Sequence, residues 1–188
     1  AFPARVAYGM IGLGIFFKAE QETGSVAIAG FAIGLNSLAG SLTAGIRGSV
    51  MDRWGQKWVI RILVPAYSAL ILTLNTMETS RSILITAFIL GITAPPINLS
   101  VRPLWKDLVP HSYLRTAYAF DSAMMSSTSV IGPVIVTSLA LSSRPSLALD
   151  VVAAFMFIGG IGLALTPVSR NWIPEKKVKG QGNLFANR

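Results

Sequence analysis

The chain has 188 residues, of which 52% are hydrophobic and only 13% charged, with a mean hydropathy of +0.59 and a net charge of +8. A soluble domain carries about 25% charged residues, so this composition leaves too little polar surface for a soluble globule and is too apolar for disorder. Cysteine is absent and His111 is the single histidine, which excludes a disulfide framework and any thiolate or histidine-cluster metal site; no cofactor is expected. The basic residues sit in short gaps between apolar runs rather than on one polar face, a pattern of membrane topology and not of nucleic-acid binding.

Six stretches approach the ~20 apolar residues needed to span a bilayer, and each is expected to be a helix because an isolated strand cannot satisfy its backbone in lipid. The first runs from Ala1 to Phe17, followed by the polar run Lys18 to Gly24. It is short and opens without methionine, so the start of this helix is expected to lie upstream. The second runs from Ser25 to Ile46, the third from Trp58 to Thr76 and the fourth from Ile83 to Trp105. The fifth covers about Thr116 to Leu141 and the sixth about Leu147 to Val168. The predicted organisation is a six-helix membrane domain over residues 1–168 and a basic Gly/Asn-rich linker over 169–188.

If the N-terminus faces the cytoplasm, the inner ends and loops hold twelve basic residues: Arg47, Arg53, Lys57, Arg61, Arg102, Lys106, Arg115, Arg170, Lys176, Lys177, Lys179 and Arg188. The outer loops hold three, Lys18, Arg81 and Arg144. That bias places both termini in the cytoplasm by the positive-inside rule. Trp54, Trp58, Trp105 and Trp172 fall near the predicted inner helix ends, where indoles prefer to sit.

Segment two carries a stripe of small residues, Gly30, Gly34, Ser37, Ser41, Gly45 and Gly48, spaced by three or four on one face. Such a face lets another helix approach closely, for packing or for sliding. Segment four contains Pro95-Pro96, which removes two backbone donors and predicts a kink. A broken helix at this depth often lines a cavity, and Asn98 follows directly. Gly132-Pro133 predicts a second kink, in segment five.

Between segments two and three the chain reads Gly48-Ser-Val-Met-Asp52-Arg53-Trp-Gly55-Gln-Lys57. This resembles the signature G-x-x-x-D-R-x-G-x-R/K of the major facilitator superfamily, at the matching inner loop. Gly48 permits close helix contact, Asp52 and Arg53 set opposite charges at a helix end, and Gly55 allows a tight turn. Lys57 keeps the charge of the usual arginine but loses its fork. Gly132-Pro133 resembles the glycine-proline stretch of the family's antiporters, although Val136-Thr137 stand where a glycine pair is expected. Arg102 lies near the inner end and is followed by Pro103, unlike the arginine motif of proton-coupled members.

The resemblance implies an all-α membrane protein, a six-helix bundle of two three-helix repeats similar to the N-terminal half of such a transporter. It implies alternating-access transport of a small molecule, with proton-coupled efflux as one form, from a bacterial cytoplasmic membrane. The partners implied are the lipid bilayer and a second six-helix half: a C-terminal half, a homodimer mate or a separate subunit. The residue matching Asp52 helps latch the inner gate against that half in the family. The alternative is a non-transporting six-helix scaffold or anchor. An intramembrane enzyme is excluded by the lack of a nucleophile, paired-aspartate or metal constellation at matching depth.

Ionisable groups inside spans default to functional candidates. Arg5 is expected either to face the cavity or a carboxylate, or to snorkel at the inner end. Asp121 is expected to pair with Arg102, Arg115 or a motif residue, or to act as a proton-linked switch. Asp150 falls in the first turn of segment six, where the helix dipole favours a carboxylate. Asn36 and Asn98 are mid-depth candidates for contacts to another helix or to substrate.

Overall fold

The computed structural model describes residues 1–142 and 146–167. The expected linker 169–188, with Trp172, and also Arg144 lie outside the described residues. Among those described the chain forms seven α-helices, one 3-10 turn and no strand. They are α1 (Phe2–Thr23), α2 (Val26–Trp54), α3 (Gln56–Asn75), α4 (Ser80–Thr93), α5 (Ile97–Leu108), the 3-10 turn His111–Tyr113, α6 (Leu114–Ala140) and α7 (Leu147–Leu165).

The helix ends follow from local chemistry. Pro3 sits in the first turn of α1, where a missing N–H costs nothing. Gly24 ends α1 in the left-handed region (φ 63°) and donates its N–H to Glu20 O at 2.8 Å. The Ser25 Oγ accepts from Ile28 N–H to start α2, and Thr79 Oγ1 accepts from Ser82 N–H to start α4.

Two expected boundaries shift, and the two proline sites differ from each other. α1 does not stop at Phe17 but runs six residues further, because Lys18 and Glu22 pair one turn apart at 2.7 Å and continue the helix. α2 does not stop at Ile46 but runs through the motif to Trp54, so Gly48 to Arg53 are helical rather than loop. The turn is the single residue Gly55, at φ 81° and ψ 152°, a conformation a side chain would strain. Segment four is broken rather than kinked: α4 and α5 are separate helices joined through Ala94-Pro95-Pro96. α6 runs without interruption through Gly132-Pro133, so no break follows the second proline site.

Five of the described helical stretches are long and apolar enough to cross a membrane, α4 and α5 counting together. α1 has the length (22 residues), and its Arg5, Lys18, Glu20 and Glu22 lower its apolarity. The packing repeats one pattern twice. α1 crosses α6 with Gly9 on Gly132, where an added Cβ at Gly132 would lie 2.7 Å from the Gly9 carbonyl carbon. α4 crosses α2 with Gly91 against Asn36 and Gly40, where a Cβ would lie 3.0 Å from Gly40 N. α3 and α7 pack on each other, and α7 also packs along α1, where Gly159 meets Ala4. These contacts relate α1–α3 to α4–α7 as two three-helix units that exchange first and second spans. Between apolar helices in lipid, such backbone-close crossings supply the attraction that water supplies elsewhere.

The glycines of the expected stripe on α2 behave otherwise. Gly30, Gly34, Gly45 and Gly48 have nothing within 4 Å of an added Cβ. The internal crossing uses Gly40 on another face, because α2 meets α4 there, and the stripe stays uncovered by the other described residues.

Candidate functional site

The break in span four is the most heavily hydrogen-bonded polar feature of the bundle. In an unbroken helix the N–H groups of residues 95 and 96 would bond to Gly91 O and Ile92 O. Prolines have no N–H, so both carbonyls are orphaned. Arg47 of α2 reaches these two. Its Nη1 donates to Gly91 O at 2.9 Å, to Ala94 O at 2.8 Å and, more weakly, to Ile92 O at 3.4 Å. Its Nη2 donates to Gly40 O of its own helix at 2.7 Å. A guanidinium at the C-terminus of α4 also meets the negative end of that helix dipole.

Gly40 is the middle residue of α2, so the guanidinium sits near mid-height of the bundle. Arg47 makes no ion pair among the described residues. The Tyr8 hydroxyl donates to Pro95 O from α1, and its ring lies 6.3 Å from that of Tyr67. Beyond the break, Ile97 N–H closes on Pro95 O at 2.8 Å and Ser100 N–H on Pro96 O at 3.0 Å. Asn98 is half-buried, and its buried Oδ1 has no hydrogen-bond partner. Asn36 adds a second tie, Nδ2 to Ala87 O at 2.9 Å, which again joins α2 to α4.

Arg47 therefore departs from its expected place at an inner loop. The apolar run ends at Ile46, which puts Arg47 outside the span by hydropathy alone. Its long stem returns the charge to the interior. Tyr8 carried no signal beyond its type. The proline pair did imply that two carbonyls needed donors from elsewhere.

A second polar centre joins α1 to α6. Arg5 Nη1 and Asp121 Oδ1 meet at 2.7 Å, each residue about 4% exposed. The expected partners Arg102 and Arg115 are not used. Arg102 is exposed on α5, with its guanidinium 5.7 Å over the Tyr118 ring. Arg5 Nε is buried with no partner. At the opposite end of the bundle Asn75 closes α3 onto α7, donating to Asp150 Oδ1 at 3.0 Å and to Ser146 O at 3.1 Å. A cavity of about 120 Å³ lies beside it, lined by Lys18, Gln21, Glu22 and Asn75.

The motif residues are arranged for contact outside the bundle. Asp52, Arg53 and Trp54 are exposed on the last turn of α2, and Asp52 makes no ion pair among the described residues. Gln56 is fully buried beneath the Gly55 turn, and Lys57 lies 5.4 Å over the Trp58 ring. No group of three or more metal-ligating residues occurs among the described residues.

The sequence pattern of the Major Facilitator Superfamily matches residues 1–187. The chain belongs to the major facilitator superfamily. The helical bundle is therefore an integral membrane protein of a secondary-transporter family, and its long apolar helices face lipid. No curated protein and no solved structure matches the chain. Within the superfamily's frame, Gly48, Asp52, Arg53, Gly55 and Lys57 cluster at one end of α2 and α3. Asn98 follows the break directly, Asn36 ties α2 to α4 at Ala87 about two turns before it, and Arg47 and Tyr8 bond to the break itself. Arg5 and Asp121 form one pair, and Gly132 is a crossing point.

Proposed function

We propose that this chain forms the N-terminal six-helix half of an alternating-access transporter for a small molecule, both termini facing the cytoplasm. The carrying observation is the uncovered small-residue stripe on α2. Gly34 and Gly45 offer a smooth approach that lipid does not require and that a second helical surface does. The partner in this reading is a second six-helix half. Asp52 and Arg53, exposed beside the stripe, are the polar contacts of its inner gate.

Arg5 and Asp121 hold α1 on α6 in the same reading, and this buried ion pair is the candidate for coupling transport to a driving ion.

These 188 residues hold no cysteine, so they contribute no thiol beside an introduced one. Gly34→Cys and Gly45→Cys in native membranes should react with a membrane-impermeant maleimide through a water-filled cavity. Phe157→Cys, on an uncovered flank of α7, should not. Equal protection at all three positions would put the stripe in lipid and remove the reading.

A further inference from the structure

We infer that Arg47 is the positioning residue of the broken span: it replaces the two backbone donors that Pro95 and Pro96 lack, and so sets where Tyr8 and Asn98 stand. This holds whether or not the bundle moves a solute, so its test needs no substrate. Three observations carry it. The carbonyls Arg47 reaches include both that the prolines orphan. The remaining contacts, Ala94 O and Gly40 O, anchor the fork at the last carbonyl before the break and at the helix crossing. The neighbouring Pro95 O is taken separately by Tyr8 and by Ile97 N–H, so the break is shared between α1 and α2.

The chemistry selects arginine. Four carbonyls on two helices need donors spread across a rigid plane, and a guanidinium has five N–H groups in a fixed fork. Lysine offers a single point charge with no fork to span them. In a bilayer an unmet carbonyl has no water to turn to, so each lost contact leaves a full desolvation penalty. The charge itself is held by the C-terminal dipole of α4 without a carboxylate. A fixed break then sets the unpartnered Asn98 Oδ1 on the first turn of α5, three residues beyond the Pro95 that Tyr8 holds.

The test is an epistasis cycle on the complete chain in nanodiscs. Arg47→Gln alone should lower the thermal midpoint by roughly 5 to 10 °C and raise maleimide labelling of Asn98→Cys several-fold as α5 shifts. Pro95→Ala with Pro96→Ala returns the two amide donors. In that background Arg47→Gln should cost less than half as much, and Arg47→Lys should behave like Arg47→Gln in the wild-type background. Should the double alanine chain fail to insert, Pro95→Ala alone restores the Gly91 donor and serves for the same comparison. Equal cost of Arg47→Gln in both backgrounds would overturn the inference, as would full rescue by Arg47→Lys, which would make Arg47 a charge rather than a donor array.

Discussion

Arg5 and Asp121 show what one pair of residues costs and contributes inside a bilayer. Each charge alone is expensive there, and together they satisfy one another at 2.7 Å. Removing one partner leaves the other buried and uncompensated, at about 3–5 kcal/mol. Asp121→Asn should therefore destabilise the bundle by that amount in a thermal or denaturant titration. Replacing both, Arg5→Met with Asp121→Leu, should recover most of the loss, since a buried pair is often matched by apolar residues of similar volume. If Asp121→Asn proves neutral, the pair is solvated and its part in holding α1 on α6 goes with it. The glycines divide just as sharply. Gly159→Ala meets Ala4 backbone and side chain on α1 and should cost about 1–3 kcal/mol by overpacking. Gly34→Ala meets nothing within 4 Å. In the isolated bundle it should stabilise α2 by up to ~1 kcal/mol through helix propensity. Equal effects at the two positions would contradict the division into closed and open helix faces.

At the scale of elements, one side chain ties the end of α3 to the start of α7, the two helices otherwise packing along each other. Asn75 satisfies the Asp150 carboxylate and the Ser146 carbonyl together. Asn75→Ala should cost about 1–2 kcal/mol and speed hydrogen exchange at the start of α7, while the break in span four stays as protected as before. Uniform acceleration along the chain would mean a global loss rather than a local one. This contact also marks how far the elements were legible. Asp150 was readable as a helix-start residue from its place in the first turn, but its partner 75 residues away was not, because a side-chain amide carries no pattern of its own. The six spans were legible from hydropathy. Their ends were not, because Lys18, Glu22 and Arg47 read as polar stops although ion pairing and long stems let helices run past them. The proline pair announced a defect in span four, and the absence of lipid-side donors implied a repair. Naming the repairing residue needed the register of α2 against α4, which a crossing at Gly91 sets and hydropathy does not record.

For the whole molecule, the division between closed and open faces decides which motions are available. α1 meets α6 and α7, and α4 meets α2, at crossings where glycine faces backbone, so the six-span unit resists internal sliding. The uncovered face of α2 and the exposed Asp52 end have no such restraint. Asp52→Asn should leave the thermal midpoint of this bundle within ~0.5 kcal/mol of wild type, as expected for a surface substitution. In a complete assembly the same change should alter labelling of a cysteine at Ser49, one turn back and exposed on the same face of α2. Unchanged labelling would remove the gate contact at Asp52. The family was legible from the ten-residue motif, since its position after the second span is itself informative. The Arg47 cluster was not, since it is assembled from residues that lie 44 to 47 apart in the chain.

That separation has a consequence in time. Arg47 is synthesised 44 residues before Gly91, the first of its acceptors on span four. At about 5–20 residues per second, the guanidinium waits roughly 2–9 s for its acceptors. An arginine carried to the centre of a bilayer on a lone helix costs about 2.5–3.5 kcal/mol, so during that interval the Arg47 stem favours the headgroups. The guanidinium turns inward only when span four arrives with the carbonyls that receive it. The charge is written in span two, but the acceptors that keep it are written in span four.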